Sequence, residues 1–126
     1  METNLDILKN AVRLFHLMIV SDLTIRTLEV DKGKLTVLKI SRPLIKWYEK
    51  EINIVTNELK EAKKELGRMG GKGDLKPINE GDFQVYTLVL RNSIYNYRYS
   101  SIALRNHVEN ELLKRLGLDF IQNPYD

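Results

Sequence analysis

The segment DFQVYTLVLRNSIYNYRYSSIALRNHVENELLKRLG, residues 82–117, places its larger side chains along one line of a helix surface. At about 100° per residue, positions three and four apart share a face. The residues on this line are Phe83, Tyr86, Leu90, Ile94, Tyr97, Ser101, Leu104, Val108 and Leu112. The pattern predicts a single long helix over about 82–117, and we expect the tail, 118–126, to fold back weakly or fray.

The segment before this helix has the most regular apolar spacing in the chain. Ser41 is a suitable N-cap, and Pro43 suits a first helical turn. Apolar residues then follow in the three-four alternation of a coiled-coil seam: Ile45, Tyr48, Ile52, Val55, Leu59, Ala62 and Leu66. We therefore predict a helix over about 41–67 that pairs with the last helix as an antiparallel hairpin. The glycine-rich connection, about 68–81, is predicted to be a mobile loop.

The first third of the chain changes its pattern near residue 22. An approximate capping box of Thr3 and Asp6 precedes helical apolar spacing, which predicts a helix over about 4–21. The next stretch, TIRTLEVDKGKLTVLKI at 24–40, is rich in β-branched residues and is interrupted by a turn pattern at 31–33. It predicts a β-hairpin over about 23–40. The alternative is a continuing helix, which would contain Gly33 and four β-branched residues.

These elements predict a mainly α fold with one small β-hairpin. A helix and the β-hairpin precede a long antiparallel helical hairpin with coiled-coil-like packing. The length of 126 residues suits one domain, 1–126. Apolar residues make up 43% and charged residues 29%, a balance typical of globular rather than disordered chains.

Charge and hydropathy bound the partners that the chain suits. The net charge of +3 is a small excess of 20 basic over 17 acidic residues, which is weak evidence for a polyanionic partner. The absence of cysteine excludes disulfides and thiolate chemistry. The apolar run Leu14–Val20 is far too short to span a bilayer. We expect a cytoplasmic protein with no membrane partner.

Three arginines, Arg91, Arg98 and Arg105, recur at a spacing of seven residues on the predicted last helix. An acidic line of the same spacing follows the preceding helix: Glu51, Glu58 and Glu65. In an antiparallel hairpin these two lines do not face each other. The arginines then have three possible roles. They cover the core with their stems, pair with acids across a homo-oligomer, or contact phosphates.

Aromatic and apolar residues beside these lines are further candidates for an interaction surface. Tyr95 and Tyr99 flank the arginines, whereas Trp47 and Ile54 lie seven residues apart on the outer face of the preceding helix. Large apolar residues on an outer face are usually buried against another element or another chain. The residues that bury Trp47 and Ile54 belong either to the first helix or β-hairpin of the same chain, or to a subunit or protein partner.

The sequence contains no pattern of catalytic residues. Its carboxylates are spread along helix surfaces, and the pair His107 and Glu111 lacks the further ligands that a metal site needs. We expect no enzymatic activity, cofactor or metal. The predicted function is that of a non-enzymatic, homo-oligomeric adaptor or regulatory subunit.

The alternative is a nucleic-acid-binding protein that uses the basic, aromatic helix face. The arginine line would contact phosphates, and Lys72 and Lys76 of the glycine-rich connection would help it.

Overall fold

A computed structural model describes residues 3–118 and shows a mostly α-helical chain with one small antiparallel sheet. Its elements, in order, are helix α1 (Asn4–Lys34), a short 3-10 turn (Leu35–Val37), helix α2 (Arg42–Arg68), strands β1 (Gly71–Glu80), β2 (Phe83–Leu90) and β3 (Ser93–Ser100), and helix α3 (Ser101–Arg115). The strand order is β1-β2-β3. Of the tail predicted at 118–126, only Leu118 belongs to the described residues.

The β-hairpin predicted at 23–40 is wrong, because α1 continues through this region to Lys34. The hydroxyl groups of Thr24 and Thr27 donate to the carbonyl oxygens of Val20 and Leu23, one turn back, at 2.7 and 2.9 Å. Leu28 is 1% exposed. Each β-branched residue costs a helix only a few tenths of a kcal/mol, and burial of one leucine outweighs several such costs.

The mobile loop predicted at 68–81 and the single helix predicted at 82–117 are also wrong. Residues 71–100 form three strands, and α3 is helical only from Ser101 to Arg115. Along β2, every second side chain faces the helices: Tyr86, Leu88 and Leu90 are buried, while the residues between them are not. Spacings of three and four residues matched a helix by coincidence, because the true period is two.

Two-residue turns join the strands. The turn between β2 and β3 explains why that hairpin is hard to recognise in the sequence. Arg91 and Asn92 link β2 to β3 with positive φ angles of 49° and 71°, as a type I′ turn requires. The strongest sequence signal for such a turn ends in glycine, which is absent here. The Arg91 main-chain N–H and side-chain Nε donate to the carbonyls of Gly70 and Met69, at 3.0 and 3.2 Å.

The helical hairpin consists of α1 and α2, so the predicted pairing of 41–67 with 82–117 is wrong. The sheet lies across one end of this hairpin, and the core between them comprises Ala11, Leu14, Phe15, Met18, Ile19, Leu59, Ala62, Leu66, Tyr86, Leu88, Leu90 and Leu104. Gly73 of β1 lies against Phe15, so closely that a Cβ there would be 2.4 Å from the ring. Close approach of strand and helix therefore requires glycine at this position.

The opposite end of the helical hairpin has no such cover. Leu28 is the last buried residue of α1, and Glu51 is the first buried residue of α2. None of the residues 29–50 is buried. We call residues 29–50 the hairpin tip.

Candidate functional site

The face of the sheet that points away from the helices carries several exposed apolar side chains. We call it the outer sheet face. Ile78 and Ile94 are 66% and 68% exposed there, and Val89 pairs directly across the strands with Ile94. Phe83 and Val89 are also exposed. The solvent side of an antiparallel sheet is ordinarily polar, so exposed apolar residues on three strands make this face a candidate contact surface.

The outer sheet face carries both basic and acidic side chains. Lys72 and Asp74 lie on β1, and Glu80 lies near the Arg98 side chain of β3 with 3.9 Å between Nε and Oε1. The Arg98 guanidinium also covers the Phe83 ring at 4.0 Å from its centroid, a cation–π contact. Lys76 is exposed on the same side of β1, so three basic and two acidic groups surround the apolar residues, and the face presents a small net charge to a partner.

The predicted basic and aromatic helix face does not exist as a continuous surface. Arg91 lies in the β2–β3 turn, Arg98 on the outer sheet face, and Arg105 on α3. Tyr95 and Tyr99 are half-buried on the inner side of the sheet and pack against the core. The chain reverses direction at each turn between strands. Residues seven positions apart therefore do not lie on one line, as they would on a helix.

The remaining predicted residues are dispersed over other elements. Lys72 and Lys76 lie on strand β1 instead of in a loop, and the Lys76 main-chain N–H donates to the Asp74 carboxylate at 2.9 Å. Trp47 is half-buried in the hairpin tip, where its ring meets that of Tyr48 edge-on at 5.3 Å. Ile54 is 37% exposed. Of these groups, Lys72 and Lys76 lie on the outer sheet face, because residues 72, 74, 76 and 78 form the exposed alternation along β1.

The acidic line of α2 is engaged within the chain. Arg115 of α3 contacts Glu51 at 3.2 Å, Glu58 at 2.6 Å and Glu111 at 2.9 Å, and its side chain is only 13% exposed. Burial by itself would lower the pKa of Arg115, but the charges of Glu58 and Glu111 and the hydrogen bonds to Glu58 and Glu51 raise it. This cluster braces α3 against α2.

The third acid, Glu65, pairs with Arg68 of the same helix at 2.8 Å. With Glu51 and Glu58 held by Arg115, all three predicted partners for arginines of another subunit have partners in their own chain. Pairing across an oligomer through these lines therefore loses its support.

A cluster of two histidines and a tyrosine joins α1, β3 and α3. His16 Nδ1 and the Tyr99 hydroxyl share a hydrogen bond of 3.1 Å, and the His16 and His107 rings meet at 4.9 Å. Burial, and secondarily His107, lowers the pKa of His16, and burial lowers the pKa of His107. Burial, followed by the nearby Tyr86 and Tyr97, raises the pKa of Tyr99 to about 12. Partial burial thus favours the neutral form of both imidazoles.

A cleft of about 660 Å³ lies between α1, the sheet and α3. Leu23, Leu75 and Leu104 contribute apolar lining, and Arg105 is part of its charged rim. The hydroxyl of Thr27 donates to a main-chain carbonyl. Among residues 3–118, no histidine lines the cleft, whereas the acidic residues Asp22, Asp31 and Glu109 do.

Within residues 3–118, no group of three histidine, cysteine, aspartate or glutamate side chains is placed to hold a metal ion. Within the same range, every helix is too short or too polar to cross a bilayer.

Comparison with known proteins identifies a family. No curated protein and no solved structure matches the chain. Residues 7–120, which include most of α1 and all later elements, match the YhjD protein family. Since this match spans most of the sequence, the chain belongs to the YhjD protein family.

Proposed function

We propose that the protein is a non-enzymatic assembly protein that associates with itself through the outer sheet face and acts as an adaptor or regulatory subunit. The observation that carries the proposal is the exposure of Ile78, Phe83, Val89 and Ile94 on that one face. Complete burial of a large aliphatic side chain stabilises a complex by about 1.5–3 kcal/mol. Several such side chains on one face supply the core of an interface.

Electrostatics favours a second copy as the partner. Lys72, Lys76 and Arg98 accompany Asp74 and Glu80, so the face carries both signs of charge and only a small excess of basic groups. A two-fold arrangement can also place a basic group of one copy near an acidic group of the other. The predicted homo-oligomer is therefore kept, but its contact moves from the helix face to the sheet.

The nucleic-acid alternative receives no comparable support. Arg91, Arg98 and Arg105 lie on three different elements, and the Phe83 ring and Glu80 already surround the Arg98 head group. A phosphate backbone is bound best by a continuous basic surface.

The test is sedimentation of the full chain over a wide range of concentrations. We expect the wild type to form a species of at least twice the chain mass of 14.7 kDa. The double variant Ile78→Lys and Ile94→Lys places two like charges in the interface, and its dissociation constant should rise by at least about tenfold.

Ile102→Lys is the matched control, because Ile102 of α3 is 69% exposed and Ile94 is 68% exposed. The control should associate as the wild type does. A wild type that remains monomeric at the highest concentration, or a double variant that associates normally, contradicts the proposal.

A further inference from the structure

The hairpin tip exposes a second apolar surface, remote from the outer sheet face in sequence and in fold. At its apex, Val37 is 87% exposed and Ile40 is 71% exposed. Leu38 and Leu44 are 46% and 44% exposed. These four aliphatic residues lie in and beside the short connection between α1 and α2, where the chain is most accessible.

Charge at the hairpin tip is predominantly basic, with twice as many basic as acidic residues. Residues 29–50 contain six basic and three acidic residues. The rest of the chain contains equal numbers of each, so the tip accounts for the whole net charge of +3. Lys39 stands between two exposed aliphatic residues, and Arg42 follows them. Basic and aliphatic side chains therefore alternate at the apex.

We propose that the hairpin tip docks on an anionic phospholipid bilayer. Val37 and Ile40 enter the boundary between head groups and acyl chains, and Lys39 and Arg42 contact the lipid phosphates. Interfacial binding of this kind combines buried apolar area with attraction to anionic lipid. Long basic side chains serve it well, because their stems lie along apolar surface while their charges stay at the phosphates.

Other partners satisfy only part of this surface. A second hairpin tip would bury the aliphatic residues but would bring two basic surfaces together. A nucleic acid would accept the charge, but its bases stack on aromatic rings and offer nothing to aliphatic side chains. Trp47 and Tyr48 are half-buried against each other, so they form no open stacking platform. The bilayer is the partner that satisfies both features.

The architecture makes the tip available for this contact. Residues 29–50 contribute no buried residue, so a change of surroundings there leaves the core between the helices and the sheet intact. The sequence-based expectation of no membrane partner rested on an apolar run too short to span a bilayer. Surface docking needs no spanning segment, so that argument does not bear on it.

Vesicle binding tests the proposal, with the single tryptophan as reporter. Trp47 lies in the hairpin tip, and its fluorescence responds to the polarity around it. We expect a blue shift and co-sedimentation with vesicles in which about a third of the lipid is phosphatidylglycerol and the rest phosphatidylcholine. Vesicles of phosphatidylcholine alone should give neither signal.

Two tip variants separate the apolar and the charged contributions. Val37→Gln with Ile40→Gln, and separately Lys39→Gln with Arg42→Gln, should each weaken vesicle binding at least about tenfold. Ile102→Gln is the control, because it removes an equally exposed isoleucine outside the tip and should bind normally. Circular dichroism checks that every variant is folded.

Three outcomes overturn the proposal. The first is a wild type that ignores anionic vesicles. The second is full binding by the Val37→Gln, Ile40→Gln variant, which would show adsorption by charge alone. The third is a gel shift with DNA or RNA that depends on Lys39 and Arg42 in a protein that does not bind vesicles, which would assign the tip to nucleic acid.

Discussion

The two halves of the α1–α2 hairpin share one apolar spacing along α2 but have opposite surroundings. In the half that packs on the sheet, residues 4–28 and 51–68, Phe15, Val55 and Leu66 are at most 1% exposed. In the hairpin tip, Ile45 and Tyr48 continue the same apolar spacing but remain half-buried. Spacing thus determines which side of a helix is apolar, whereas a neighbouring element determines whether that side is buried.

The largest difference between the halves should be in core packing. Phe15→Ala removes a fully buried ring that touches Gly73 and meets Tyr86 edge-on, with 6.4 Å between ring centroids. We expect it to lower the free energy of unfolding by about 3–5 kcal/mol. Val37→Ala, its counterpart in the tip, should change that free energy by less than about 0.5 kcal/mol. Thermal unfolding of both variants measures the two changes in free energy. A similar loss in each would show that the two halves do not differ in packing.

The next largest effect concerns the ionic cluster that fastens α3 to the packed half. Arg115→Met keeps the stem but leaves Glu51, Glu58 and Glu111 together without their cation. We expect a loss of about 2–4 kcal/mol, because Glu51, whose side chain is 12% exposed, would become an unpaired buried charge. Arg68→Met is the control, since both partners of its ion pair with Glu65 are solvent-exposed and the pair is worth less than about 1 kcal/mol. Equal urea midpoints for the two variants would show that the cluster is not a brace.

A smaller effect should appear as a pH dependence confined to the packed half. Burial, and for His16 also the charge of His107, lowers the folded pKa values of His16 and His107 below 6.5. The unfolded chain then takes up protons first, so stability is full above pH 6.5 and falls as the pH drops through 6.5 toward the folded pKa.

The Tm of the wild type should therefore fall over this window, and His16→Gln should reduce the slope. The Val37→Gln, Ile40→Gln variant should keep the wild-type slope, because the tip contains no histidine. A slope that is unchanged in His16→Gln would assign the pH dependence to other groups.

The smallest expected effect on stability is that of the tip variants themselves. Val37 and Ile40 are exposed already, so replacing both with glutamine should alter the free energy of unfolding by less than about 0.5 kcal/mol. Chemical denaturation measures it. A loss of several kcal/mol would show that the tip contributes to the core, and the contrast between the two halves would then be wrong.

Local signals in the sequence located some elements well and misidentified others. The helix expected at 41–67 is found at Arg42–Arg68, where a proline in the first turn and a long amphipathic pattern point to the same structure. The segment at 23–40 misled because its β-branched residues and Gly33 resemble a hairpin. Contact with α2 keeps it helical through Leu28, and no hydroxyl is left unpaired at Thr24 or Thr27.

The candidate surfaces were harder to predict than the helices. Arg98 and Ile94 were both identified, one as a candidate for interaction and one as a core residue. Their common position on the outer sheet face follows only from the β2–β3 register, which pairs Val85 with Arg98 and Val89 with Ile94. Of the hairpin tip, the sequence patterns predict only Trp47 as part of an interaction surface, because the basic residues of the tip do not follow a regular spacing.

The sequence by itself determined the long amphipathic α2, the capping box of Thr3 and Asp6 that starts α1, and the concentration of basic residues at 29–50. These depend on neighbours within about one helical turn, or on composition alone. Only the tertiary structure decided that 71–100 is a sheet, that Glu51 and Glu58 hold Arg115, and that Val37 and Ile40 remain exposed. Strand pairing, ion pairing and burial depend on contacts between residues that are distant in sequence. Local sequence patterns do not determine which distant residues come into contact.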